Sequence, residues 1–152
     1  MYKAFGKADV ALPIFERAKA VYERELESCD DRLAGLYNNM ALALVDLSRF
    51  DEAYELYQKA LSILSQSKAG DLEMAITYLN IASAKEAELG LEDANEQIAE
   101  LCKQAQDLLE AHTPKDGYYA FVCEKCASVF DYYGYFFYAK ELKERAGRIY
   151  AG

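Results

Sequence analysis

The chain has 152 residues, 53% hydrophobic and 28% charged, a balance that fits one folded domain with a buried core and excludes a disordered segment. Its formal net charge of −9 repels phosphate backbones, which excludes sequence-independent binding to nucleic acid or to an anionic membrane surface. No apolar run approaches the roughly 18 residues that a membrane-spanning helix needs, and the opening MYKAFGKADV lacks the apolar middle of a secretory signal.

Only Pro13 and Pro114 are prolines, and Ala, Leu, Glu and Lys abound, so helix is expected nearly everywhere. In chain order, the segment over 7–28 carries Ala11, Phe15 and Ala18 at the spacing of a single amphipathic helix. Over 31–67 two stripes follow: Leu33, Leu36, Tyr37, Met40, Ala41 and Leu44, then Ala53, Leu56, Tyr57, Ala60, Leu61 and Leu64. Between them Leu47-Ser48-Arg49-Phe50 gives a polar break, and Asp51-Glu52 supplies acids suited to the positive end of the next helix, so the pair folds back as a hairpin. A second pair is expected over 71–111 and a third over 116–150, giving about seven helices in one domain over 1–152.

These pairs repeat one another. A shift of 41 residues lays Leu36-Tyr37-Asn38-Asn39-Met40-Ala41 over Thr77-Tyr78-Leu79-Asn80-Ile81-Ala82, and Phe50-Asp51-Glu52-Ala53 over Leu91-Glu92-Asp93-Ala94. Phe15 and Ala18 stand 42 residues ahead of Tyr57 and Ala60. A recurrence of this size is the signature of a stacked solenoid, in which each unit buries its apolar face on its neighbours.

Tyr37, Met40, Ala41, Leu44, Phe50, Ala53, Tyr57 and Ala60 resemble the signature positions of the tetratricopeptide repeat (TPR). The second unit is similar at Tyr78, Ile81, Ala82, Leu91, Ala94 and Ile98, but Lys85 replaces an apolar residue and about four extra residues precede Lys103-Gln104-Ala105. The third is similar at Cys123, Cys126, Ala127, Phe130, Gly134, Phe136, Ala139 and Ala146, with Lys143 where an aromatic is expected. The longer period resembles kinesin-light-chain-type arrays. The resemblance implies an all-α, right-handed superhelical stack of antiparallel hairpins that binds proteins or peptides as a scaffold, without catalysis or cofactor. The lack of a secretory signal and the scattered Cys29, Cys102, Cys123 and Cys126, which suit a reducing compartment, point to the cytoplasm.

In that family the first helix of each hairpin lines a concave groove. The resemblance then places Asn38, Asn39, Leu42 and Asp46 from the first unit in the groove, with Leu79, Asn80, Ser83 and Glu86 from the second and Glu124, Lys125, Ser128 and Asp131 from the third. An asparagine amide donates and accepts at once, so Asn39 and Asn80 are expected to hold a peptide main chain, or else to bridge neighbouring helices. Gly35, Ile76 and Phe121 occupy flanking positions where a clamp for a terminal carboxylate needs cations, and Asp46, Glu86 and Asp131 point to a polar or basic ligand.

Cys123-Glu124-Lys125-Cys126 forms a C-x-x-C on packing positions of the third unit, with no second pair and only His112 elsewhere, so core packing is expected and no metal site. His112, beside Thr113-Pro114, reads as a helix-end residue. The basic residues Lys140, Lys143, Arg145 and Arg148 are interleaved with Glu141 and Glu144, as on a solvated helix face.

The segment 118–150 holds 11 of the 20 aromatic residues. Tyr132, Tyr135, Phe137 and Tyr138 are expected either at an interface or in a cap that seals the array. At the other end the array begins with half a hairpin, leaving Leu12, Phe15 and Tyr22 without the helix that normally covers them. Two readings account for that: a chain cut from a longer protein, such as the sensor part of a larger regulator, or a homodimer in which two copies cover each other's open ends.

Overall fold

The apolar stripes become helices that each turn one face inward. The computed structural model describes residues 4–152, with side chains from residue 7 onward, and among the described residues there are seven helices and no strand. They are α1 (Ala4–Glu25), α2 (Asp31–Asp46), α3 (Phe50–Ser65), α4 (Asp71–Leu89), α5 (Asn95–Ala111), α6 (Gly117–Tyr132) and α7 (Phe136–Ala151). Consecutive pairs α2–α3, α4–α5 and α6–α7 pack as hairpins, α1 packs on α2, and the first helices touch along the stack, α2 on α4 and α4 on α6. The all-α stack of helical hairpins is therefore observed.

The turns show why the sequence breaks where it does. Asp30 caps α2 by accepting a hydrogen bond from the Arg32 amide at 2.9 Å, while its carboxylate also takes the Arg32 guanidinium, and these bonds hold its pKa down to about 2. At the end of α2, Ser48 adopts a left-handed backbone with φ 60°. The Arg49 amide then donates to the Leu44 carbonyl at 2.8 Å and the Ser48 amide to Val45 at 2.9 Å, which satisfies the last carbonyls of the helix.

The turn after α6 repeats this geometry with a glycine. Gly134 has φ 93°, and the Tyr135 amide donates to the Phe130 carbonyl at 2.8 Å. The third hairpin thus has the residue that the conformation prefers, and the first has a serine at the same register. Ser48→Gly is expected to raise stability by about 0.5–1 kcal/mol, read as a higher urea midpoint at an unchanged slope.

Two apolar clusters meet at α4. One joins α1, α2 and α3 to Ile81 and Ala84, and the other joins Leu72, Ala75, Leu79 and Ala82 to α5, α6 and α7. Helix α4 accordingly carries apolar residues on two sides, Ile81 and Ala84 toward one cluster and Leu72, Ala75, Leu79 and Ala82 toward the other, and leaves Ser83 and Ala87 exposed on a third. Small residues set the spacing: Ala41, Ala53, Ala60, Ala82, Ala94, Ala105, Ala120 and Ala127 are wholly buried where helices approach.

Three particulars depart from the sequence expectations. Helix α5 starts at Asn95, about one turn later than alignment with α3 implies, because Gly90 ends α4 with φ 85° and 91–94 form a turn closed by the Ala94 amide on the Gly90 carbonyl at 3.0 Å. Leu12 is buried on α2 rather than left open. Arg145 is turned inward instead of lying on a solvated face, with only 16% of its side chain exposed.

Tyr57, Leu61 and Leu64 of α3 are buried, whereas the corresponding positions of α7, Lys143, Gly147 and Tyr150, are exposed.

Candidate binding face

The register of the first helices sorts their residues into columns. One column, Gly35, Asn39, Leu42 and Asp46 of α2, is exposed along its length. The equivalents on α4 are Ile76, Asn80, Ser83 and Ala87, and on α6 they are Phe121, Lys125, Ser128 and Tyr132; each is exposed or half-buried. Because α2, α4 and α6 touch in sequence, these residues share one face of the stack.

Side chains link the three helices along that face. The Tyr118 hydroxyl donates to Glu73, tying α6 to α4, and the Tyr118 and Phe121 rings stack with centroids 6.4 Å apart. Ile76, Asn80 and Lys125 line a small cavity of about 30 Å³ floored by Leu79, Cys126 and Val129. Toward the other end, Gly35, Asn38 and Glu73 line a hollow of about 280 Å³.

Of the twelve residues expected in a groove, Asn39, Leu42, Asp46, Asn80, Ser83, Lys125 and Ser128 lie in the free column. Leu79 does not: at 3% exposure it belongs to the core. Asn38, Leu79 and Glu124 share a column that faces the following hairpin, and each behaves accordingly. The Asn38 amide donates to the Thr77 hydroxyl of α4 at 2.9 Å, and Thr77, fully buried, passes its own proton to the Glu73 carbonyl at 2.8 Å. Glu124, with no following hairpin, accepts from the Tyr150 hydroxyl.

Glu86 and Asp131 also stand one position away from the free column. Glu86 accepts from Tyr132 at 2.6 Å and Tyr133 at 3.0 Å, so its carboxylate is held by α6 rather than offered to a ligand, while Asp131 remains exposed. Burial, with the Glu86 bond adding to it, pushes the Tyr133 hydroxyl up to about 12, which keeps it a donor at neutral pH. Burial likewise lifts the Asp46 carboxyl above its ordinary value. Of the three acids expected to face a ligand, Asp46 and Asp131 are exposed and Glu86 is engaged by Tyr132 and Tyr133.

The aromatic residues divide. Tyr135 and Tyr138 stand edge-on to the buried Phe130 ring at 5.9 and 4.9 Å, and Tyr138 also donates to Glu110, so both belong to the last hairpin's core. Tyr132 and Phe137 are exposed, Phe137 almost completely at 92%. Tyr118, Phe121, Phe136 and Tyr150 are exposed as well, and the first two add an aromatic patch to the free face. The signal for Phe121 was present in its register with Gly35 and Ile76. At the other end Phe15 is half-buried and Tyr22 exposed.

Cys102, Cys123 and Cys126 are buried in the core, and burial pushes the Cys102 thiol up to about 11 and Cys126 to about 12. His112 caps α5, with Nδ1 2.7 Å from an Asp71 carboxylate oxygen and its ring stacked on Tyr119 at 5.6 Å, which joins the second hairpin to the third. Among the described residues no group of three or more His, Cys, Asp or Glu side chains is placed to hold a metal ion, and no helix is long and apolar enough to cross a membrane. No protein-family model matches the sequence, and no curated protein matches it as a relative.

Proposed function

We propose that this chain is a tetratricopeptide-type array that acts as a non-catalytic cytoplasmic scaffold, holding a peptide segment of another protein across α2, α4 and α6. The observation that supports it most is the free column itself, where the exposed apolar residues Leu42 and Phe121, at 43% and 54%, alternate with the amides of Asn39 and Asn80 one repeat apart. Exposed apolar residues grouped on a rigid face are anchors for a partner, and amides in register satisfy an extended main chain without specifying its side chains. The buried thiols with raised pKa values are held neutral, which suits packing rather than nucleophilic chemistry.

In this reading Phe121, Ile76 and Leu42 take apolar side chains of the ligand, and Asn39, Asn80 and Lys125 take its main-chain groups. Panning a random peptide phage library on the folded chain tests it. Selected peptides are expected to lose about tenfold in affinity on Phe121→Ala, the cost of removing one well-placed aromatic anchor. Selection of nothing above background, or binders indifferent to both Phe121→Ala and Asn80→Ala, would remove the groove from consideration.

A further inference from the structure

Between the start of α5 and the turn that joins α6 to α7 lies an open pocket of about 330 Å³. The turn contributes Tyr132, Tyr133 and Tyr135 to its lining, and α5 with the residues before it contributes Leu91, Asn95 and Ala99. The Tyr132 and Tyr133 rings stand edge to face, with centroids 5.0 Å apart and 75° between their planes. Both hydroxyls donate to Glu86, which fixes the rings and places a carboxylate at their hydroxyl ends. Tyr132 is 63% exposed and Leu91 52%, so the lining is open to solvent.

The chain around this pocket carries one sign of charge. Residues 86–102 contain Glu86, Glu88, Glu92, Asp93, Glu96 and Glu100 with neither lysine nor arginine, and residues 126–139 contain Asp131 with neither. Glu92, Asp93, Glu96 and Asp131 are exposed and make no ion pair among the described residues. The cations that flank these segments are engaged elsewhere: Lys85 sits over the Tyr54 ring at 4.0 Å, Lys103 pairs with Asp107 at 3.1 Å and Lys140 with Glu144 at 3.9 Å. The dipole of α5 accounts for the acids at its start. Asp131, in the last turn of α6, has the dipole against it, so helix stability does not account for it.

We infer that the pocket receives a lysine or arginine side chain from a basic segment of a partner protein, its charge among the tyrosine rings and its methylenes on Leu91 and Ala99. A cation there gains from the ring quadrupoles and from carboxylates that have no other partner. The volume is at the low end of ligand pockets and suits one long side chain rather than a helix. Phe136 and Phe137 follow directly on Tyr135 and are 63% and 92% exposed. They offer an apolar surface to the residues flanking the cation, which a free amine would leave uncovered. The pocket shares only Tyr132 with the α2–α4–α6 face and does not depend on what that face binds.

Three short acetylated and amidated peptides test this, alike except that glycine alternates with lysine, with arginine or with norleucine, which keeps the stem of lysine without its charge. Each is titrated into the isotope-labelled full chain at low salt and followed by amide shifts. At least one cationic peptide is expected to bind saturably and to move the amides of 91–99 and 131–137, while the norleucine peptide does not. Affinity falls at least about fivefold on Tyr132→Ala and is restored by Tyr132→Phe, which keeps the ring and loses the hydroxyl. It falls at least about threefold when Glu92→Gln and Glu96→Gln are combined. It is unchanged by Asp9→Asn combined with Glu27→Gln, which removes two charges from the far end of the stack, and by Phe121→Ala. Thermal melts of the variants match the wild type, since every substituted residue is exposed. The inference is overturned if neither cationic peptide binds, if norleucine binds as tightly, or if the two pairs of acid substitutions weaken binding equally. Binding indifferent to Tyr132→Ala, or no stronger with Tyr132→Phe than with Tyr132→Ala, overturns it as well.

Discussion

Phe130→Ala is expected to cost about 3–5 kcal/mol and to unfold the last hairpin before the rest of the stack. Phe130 is wholly buried near the end of α6, and its ring receives the edges of Tyr135 and Tyr138. Truncation removes the ring's transfer free energy and both aromatic contacts, and leaves a void that the turn cannot close, because Tyr135 is pinned by its amide on the Phe130 carbonyl. The consequence is local for a topological reason. In a stack each hairpin touches only its neighbours, and α6–α7 has a neighbour on one side only. Hydrogen exchange is expected to show loss of protection over 117–151 with α2 and α3 retained at low urea. Uniform loss along the chain would mean that the two apolar clusters, which share Tyr78 of α4 and Leu101 of α5, unfold as one unit.

The hairpins were legible because each helix carries its own instruction. The stripe Ala53, Leu56, Tyr57, Ala60, Leu61 and Leu64 is readable without knowing what lies opposite. The binding face was legible only in part. Whether Leu79 points to solvent or to α6 depends on how far one hairpin rotates against the next, a quantity that the periodicity of a single helix does not contain. A displacement of one residue separates Asp46, in the free column, from the Glu86 position, which is turned toward Tyr132 and Tyr133. Asn38 illustrates the same limit: its neighbour Asn39 is free, yet Asn38 bridges to Thr77, and nothing in the dipeptide distinguishes the two. Arg145 was hidden for another reason. Its interleaving with Glu141 and Glu144 matches a solvated face, and only the arrival of Glu110 and Tyr119 from other helices makes an inward guanidinium stable.

That guanidinium is the second place where one substitution is expected to have a large effect. Arg145 donates to Glu110 at 2.7 Å, to the Tyr119 hydroxyl at 2.7 Å and to Glu141 at 3.2 Å, while Tyr119 passes its own proton to the Leu109 carbonyl at 3.0 Å. The group thereby joins α5, α6 and α7. Arg145→Met keeps the length of the stem and removes the charge. A cost of about 2 kcal/mol is expected, below that of breaking a fully buried pair, because Glu110 is 44% exposed and recovers water when its partner leaves. The pH dependence identifies the cause. Burial pushes the Glu110 carboxyl up, but the hydrogen bonds from Arg145 and Tyr138 outweigh it and hold the carboxyl below its ordinary 4.5. A carboxyl depressed by folding adds stability above its unfolded value, and that stability disappears as pH falls through the folded value. The gap between wild type and Arg145→Met, measured by urea unfolding, is therefore expected to be full at neutral pH and to narrow below about pH 4.5. A gap that stays constant into acid would assign the loss to packing of the arginine stem rather than to its charge.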